Sequence, residues 1–187
     1  GAVPPIIFGV AFGNLLLGVP FRFNDYLMSE YTGSFWALLN PFSLLAGVVS
    51  LAMIATQGAN YLMMRTEGDI YRRVRFASLL FATLTIVTFA AAGVWVATGI
   101  DGYAITSAID GGALPDPLAK TVTLETGAWM KNYQSTPWAM AVPGLAFAAL
   151  AASILFSRLH QAGVAFWSSS AACAGIIGTA GVSMFPF

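Results

Sequence analysis

LLNPFSLLAGVVSLAMIATQGANYLMMR, residues 38–65, decides the fold. Asn40-Pro41 reads as a helix start: Asn is a good N-cap, and Pro at the first helical position gives up only an N–H that had no partner. From Pro41 to Met64 no charged residue appears, a rise of roughly 36 Å at ~1.5 Å per residue. That exceeds the ~30 Å hydrocarbon core of a bilayer, so the segment is a transmembrane helix with room for tilt. Ser43, Gly47, Ser50 and Gln57 fall on one stripe at ~100° per residue, with Thr56 and Asn60 on an adjoining face. Lipid offers polar side chains no hydrogen-bond partner, so this stripe should face other protein. Two readings stay open. The residues are helix–helix glue, or Gln57 and Asn60 line a cofactor or proton route.

Composition points the same way. Hydrophobic residues make up 58% of the 187 residues and charged residues 9%, against about a quarter charged in soluble domains. The mean hydropathy is +0.77. A formal net charge of zero argues against nucleic acid as a partner. Cys173 is the sole cysteine and lies in an apolar run, which excludes a disulfide framework and a thiolate metal site within the chain. The chain starts at Gly1 and enters an apolar run without a basic n-region or cleavage site. The expectation is an internal part of a longer membrane protein.

Working outward, the spans are expected at about 4–19, 41–64, 76–98, 137–156 and 164–185, giving an all-α, polytopic transmembrane helix bundle in one domain. Gly9 and Gly13 form a GxxxG face beside Asn14, and Gly175, Gly178 and Gly181 give the last span a small-residue face. Residues 20–37 mix Arg22, Asp25 and Glu30 with Phe21, Phe23, Tyr26, Tyr31, Phe35 and Trp36, the composition of an interfacial connection. Arg65, Arg72, Arg73, Arg75 and Arg158 place loops 65–75 and 157–163 in the cytoplasm, and loops 20–37 and 99–136 outside. The long outer loop carries turn signals at Asp110-Gly111-Gly112 and Pro115-Asp116-Pro117. After them, PLAKTVTLETGAWMKNY (117–133) reads as a short helix on the membrane surface.

Catalytic chemistry is sparse. His160 is the only histidine and falls in a turn, so a bis-histidine haem or a His-rich metal centre cannot be assembled from this chain alone. No acid lies inside an expected span, and no phosphate loop or Ser/His/Asp set is present. The seven methionines read as packing. Residue chemistry alone describes a membrane scaffold with polar seams, and a transporter or channel subunit remains an alternative.

Several blocks nevertheless resemble a known family. GVAFGNLLLGVPF (9–21), the 38–66 stretch, GVWVATGIDGY (93–103), ETGAWMKNY (125–133) and TAGVSMFPF (179–187) are similar, in the same order, to subunit II of the cytochrome bd ubiquinol oxidases. The resemblance implies a haem-free subunit of a respiratory terminal oxidase in the bacterial cytoplasmic membrane. Such a complex oxidises quinol, reduces dioxygen to water and contributes to the proton gradient. It further implies a partner subunit I carrying two b-type haems and one d-type haem, with a small single-helix accessory subunit as a further candidate. The chain would supply the fourth to eighth of nine helices. The family's N-terminal blocks, with their membrane acids, have no counterpart here, so no proton-path acid is assigned. Leu17, Asn60 and Met63 depart from residues common in the family. If a structural quinone is held, its expected place is a groove touching the central helix near Gln57 and Asn60.

Overall fold

The computed structural model describes residues 1–26, 28–107 and 121–185. It is an all-α bundle. Among the described residues, four helices are long and apolar enough to cross a membrane. They are α2 (Pro41–Met63), α3 (Gly68–Gly99), α5 (Ala141–Arg158, preceded by a 3-10 turn from Pro137) and α6 (Ala162–Met184). A shorter helix, α1 (Val3–Leu17), precedes them. Contacts run α2 to α3, α3 to α5, α5 to α6 and α6 back to α2, closing a four-helix ring, while α1 lies outside against α2.

α2 is the axis because three helices pack on it. Asn40 caps it as the sequence predicts: its side chain accepts from the Ser43 N–H at 2.8 Å, with Pro41 in the first turn, a cap worth about 1 kcal/mol. The α1 contact is made by small residues. A Cβ placed on Gly9 would come within 2.6 Å of Gly47 Cα, and one on Gly13 within 2.6 Å of Ser43 Cα. The two backbones therefore touch nearly directly. α1 stops at Gly18, whose φ of 77° is costly for any residue with a Cβ. A side chain there would also strike the hydroxyl of Tyr103.

α3 begins at Gly68, so most of the 65–75 stretch expected as a loop is helical. Its first two turns carry Asp69, Arg72, Arg73 and Arg75, a charged stem on a helix of 32 residues, roughly 48 Å long and longer than a bilayer core. The ring's core is built from Val49, Met53, Ala146, Ala149, Leu150, Ala172 and Ile176. Ala146 of α5 sits directly against Gly175 of α6, and such small pairs let membrane helices approach closely.

Two antiparallel hairpins decorate one end. β1 (Phe21–Phe23) pairs with β2 (Ser29–Tyr31), and β3 (Asp101–Ile105) pairs with β4 (Val122–Thr126). β4 corrects the expectation of a surface helix over 117–133. The β-branched Thr121, Val122, Thr123 and Thr126 favour strand over helix, and Gly127 at φ 73° ends the strand. Only then do a 3-10 turn (Ala128–Met130) and the short helix α4 (Lys131–Ser135) form. The turn signals at 110–117 lie outside the described residues.

The segment after β4 staples the ring's end. Trp129 is 3% exposed, packs on Tyr103 at ring centroids 6.2 Å apart and donates its indole N–H to the Leu16 carbonyl at 3.1 Å. Asn132 donates to the Val182 carbonyl at 2.9 Å and to that of Phe185, and the Tyr133 hydroxyl lies 2.9 Å from Ser183 Oγ. One end carbonyl of α1 (Leu16) and one of α6 (Val182), which have no partner within their own helices, are thereby satisfied.

Candidate functional site

Asn60 is the most connected side chain of the bundle, fully buried and reaching three other helices. Its Nδ2 donates to Ser153 Oγ of α5 at 2.8 Å and to the Ala165 carbonyl of α6 at 3.1 Å. Its Oδ1 accepts from Ser78 Oγ of α3 at 2.6 Å and from Ser157 Oγ of α5 at 3.2 Å. An amide side chain has two donors and two acceptor lone pairs, and all four are filled by the chain itself. Ser78 and Ser157 Oγ also lie 3.2 Å apart, closing the network.

Arg75 extends this network toward the helix ends. Its Nε donates to the Ser157 carbonyl at 2.9 Å and its guanidinium to the Arg158 carbonyl at 3.1 Å. A cation on the last carbonyls of α5 satisfies orphan acceptors and complements the helix dipole. Beyond it, His160 stacks on Tyr71, with Nδ1 3.2 Å from the phenol oxygen. His160 is exposed and stands outside the bundle.

Gln57 sits one turn away and makes a separate contact. Its Nε2 donates to Ser170 Oγ at 2.7 Å, and its Oε1 accepts from Ser169 Oγ. Both candidate residues thus engage protein, but they share no partner. Thr56 and Thr85 turn their hydroxyls back on the Ala52 and Phe81 carbonyls of their own helices, at 2.8 Å each. Among the described residues no buried side-chain polar atom lacks a partner. The serines that complete the seam were not singled out from the sequence. The signals were there: Ser153 and Ser157 stand four apart on one helix face, and Ser168-Ser169-Ser170 interrupts an apolar span.

A second polar knot lies at the opposite end of α2. Asn14 of α1 is 7% exposed. It donates to the Val10 carbonyl at 2.8 Å and to the Leu38 carbonyl at 2.7 Å, while accepting from Asn40 Nδ2 at 3.0 Å. Its interhelical role is therefore visible directly.

Between the two knots is a cavity of about 810 Å³. Its wall is almost wholly apolar: Leu16 from α1, Phe42, Val49 and Met53 from α2, Phe89 and Val96 from α3, Phe147 from α5 and Ile176 from α6. Tyr133, Thr179 and Ser183 supply polar atoms at one end. The exposed side chains Phe8, Phe12, Ile54 and Ile177 rim it. Gln57 and Asn60 are not in its lining. The wall has no histidine and no cation, so it offers neither an imidazole axial ligand nor a counter-charge for propionates. It suits a long apolar chain. Among the described residues no three of His, Cys, Asp and Glu come together as a metal site.

The comparisons with known proteins agree along the entire chain. Residues 1–187 match the family described as cytochrome bd terminal oxidase subunit II. The chain is 52% identical over 185 residues to the cytochrome bd-I ubiquinol oxidase subunit 2 of Escherichia coli strain K12, covering 99% of this chain and 49% of that protein. It is 48% identical over 187 residues to a probable cytochrome oxidase subunit 2 of Haemophilus influenzae, covering 100% of this chain and 49% of that one. The chain spans about half the length of the curated relatives it matches. With the helical bundle, the central α2 and the family match covering every residue, the chain belongs to the cytochrome bd terminal oxidase subunit II family.

Proposed function

We propose that this chain forms part of a haem-free subunit of a quinol:dioxygen oxidoreductase in the bacterial cytoplasmic membrane. The complex oxidises quinol, reduces dioxygen to water and contributes to the proton gradient. In this reading subunit I carries the two b-type haems and the d-type haem, and this chain supplies assembly surface and stability. The five expected crossings at about 4–19, 41–64, 76–98, 137–156 and 164–185 stand with loops 65–75 and 157–163 cytoplasmic and loops 20–37 and 99–136 periplasmic. The family match over the whole chain carries the reading. The arginines clustered around Arg72 and Arg158 supply the sidedness.

Within that function Gln57 and Asn60 serve as interhelical glue, since their hydrogen-bonding groups are engaged by serines and a backbone carbonyl. A structural quinone, if this subunit holds one, occupies the apolar cavity beside α2 instead. Its isoprenoid tail would be sorted by length and bulk rather than by polar contacts.

The test is a reduced-minus-oxidised absorption spectrum of the complex purified from native membranes through the full-length protein. A d-type haem band co-purifying with a second large subunit is the expected result. A colourless preparation overturns the reading. The glue role has its own test in Gln57→Leu, which removes two interhelical bonds at ~0.6–1.7 kcal/mol each. It should lower the thermal midpoint of the purified complex and leave turnover per haem unchanged. Lost turnover at normal haem content and stability would instead put Gln57 on a proton or ligand route.

A further inference from the structure

Among the described residues, neither strand of the hairpin β1–β2 makes an extended contact with any element but the other strand. Every residue of both strands is exposed, yet an isolated two-stranded hairpin in water is marginal at best and needs a covering layer on its apolar face. The register shows that it has such a face. Phe21 pairs with Tyr31 and Phe23 with Ser29, so these side chains share one side, while Arg22 and Glu30 pair on the other. On the aromatic side Phe21 and Phe23 meet edge to face at 5.5 Å. On the polar side Glu30 accepts from both Arg22 and Asn24, at 3.3 and 3.2 Å. The charges on this side thus neutralise each other and present little uncompensated field to a protein partner. Asp25 in the connecting turn is the remaining charge of the hairpin.

Position supplies the occupant. Three residues, Gly18 to Pro20, separate the end of α1 from β1, which keeps the hairpin's start within about 14 Å of the helix end at ~3.3–3.6 Å per residue step. The outward side of α1 is apolar, with Phe8 66% and Leu15 56% exposed. Val19, Phe21 and Phe23, which follow in sequence, are exposed as well. Phe35 and Trp36, 67% and 76% exposed, add two more exposed rings just before α2. Aromatic rings gather at headgroup depth because that zone accepts both an apolar body and a polar tip.

We infer that the paired strands β1 and β2 form an anchor that lies in the headgroup region of the adjoining leaflet, aromatic face toward the acyl chains and Arg22–Glu30 toward water. The occupant of the aromatic face is phospholipid, not protein. The inference does not depend on the oxidase reading, nor on which side of the membrane the hairpin occupies.

Spin labels test it in the full-length protein within its native complex, in lipid nanodiscs, with Cys173→Ser and any accessible cysteine elsewhere in the complex replaced. Phe23→Cys and Arg22→Cys each receive one nitroxide. The ratio of collision with dioxygen, which partitions into lipid, to collision with a water-soluble nickel chelate should be several-fold higher at position 23 than at 22. Equal, nickel-dominated values at both sites overturn the anchor, as does a label at 23 shielded from both reagents, which means protein covers that face. Should a variant fail to assemble, the unmodified complex can be labelled with a lipid-soluble diazirine. Carbene adducts on Phe21, Phe23 or Tyr31 are then expected, and their absence from 20–31 while α1 is labelled refutes the proposal.

Discussion

Replacing Asn60 by leucine should cost the bundle about 2–7 kcal/mol, since four interhelical hydrogen bonds at ~0.6–1.7 kcal/mol each are lost together. Leucine keeps the approximate bulk but leaves Ser153, Ser157 and the Ala165 carbonyl short of a partner among α2, α3, α5 and α6. The expected result is a complex that accumulates poorly and loses its single size-exclusion peak after mild heating, at a temperature well below that of the unmodified protein. Ser153→Ala removes one of the four bonds and should cost about 1 kcal/mol. An Asn60→Leu complex as heat-resistant as the parent would mean that the seam adds nothing to stability.

The second large effect is expected at Gly9. A Cβ there would lie 2.6 Å from Gly47 Cα and 2.7 Å from Ser50 Cβ. The first of these is backbone and cannot rotate away. Gly9→Val therefore forces α1 off α2, with an overpacking cost of about 1–3 kcal/mol. It also strains the bonds that Asn14, little more than one turn on, makes to Leu38 and Asn40. Limited proteolysis in detergent should then cut the 18–20 connection much faster. Gly58→Ala is the control. That glycine, also on α2, has nothing within 4 Å of its would-be Cβ, and alanine gains up to ~1 kcal/mol of helix propensity. If Gly9→Val and Gly58→Ala are cleaved alike, the close α1–α2 contact is not what holds α1.

How far the sequence reached depended on which force shaped each element. α2 was legible at both ends, since Asn40-Pro41 opens it and charge returns only at Arg65. α3 was legible as a span but not as a helix, because Arg72, Arg73 and Arg75 belong to its stem and a hydropathy pattern stops where charge begins. The β-hairpins were not legible. Short strands outside the bilayer leave weak periodicity, and the 117–133 stretch was read through its aromatic tail, not its β-branched run. For the seam, the stripe on α2 correctly marked polar side chains facing protein. It could not show that the stripe changes partner along its length. Ser43, Gly47 and Ser50 meet α1, Gln57 meets α6, and Asn60 on the adjoining face meets three helices at once. Which helix answers which residue is a matter of packing geometry that one helix's sequence does not encode.

The arrangement of knots and cavity resembles a cask hooped at both ends. The Asn60–Ser78–Ser153–Ser157 cluster binds the staves at one end, and the Trp129, Asn132 and Tyr133 contacts bind them at the other. The hollow lies between, where the staves are held mainly by dispersion. Swelling of its apolar middle strains few hydrogen bonds, whereas passage through either end breaks several. The side at which the hollow yields most easily is therefore its apolar rim of Phe8, Phe12, Ile54 and Ile177, and not either hydrogen-bonded end.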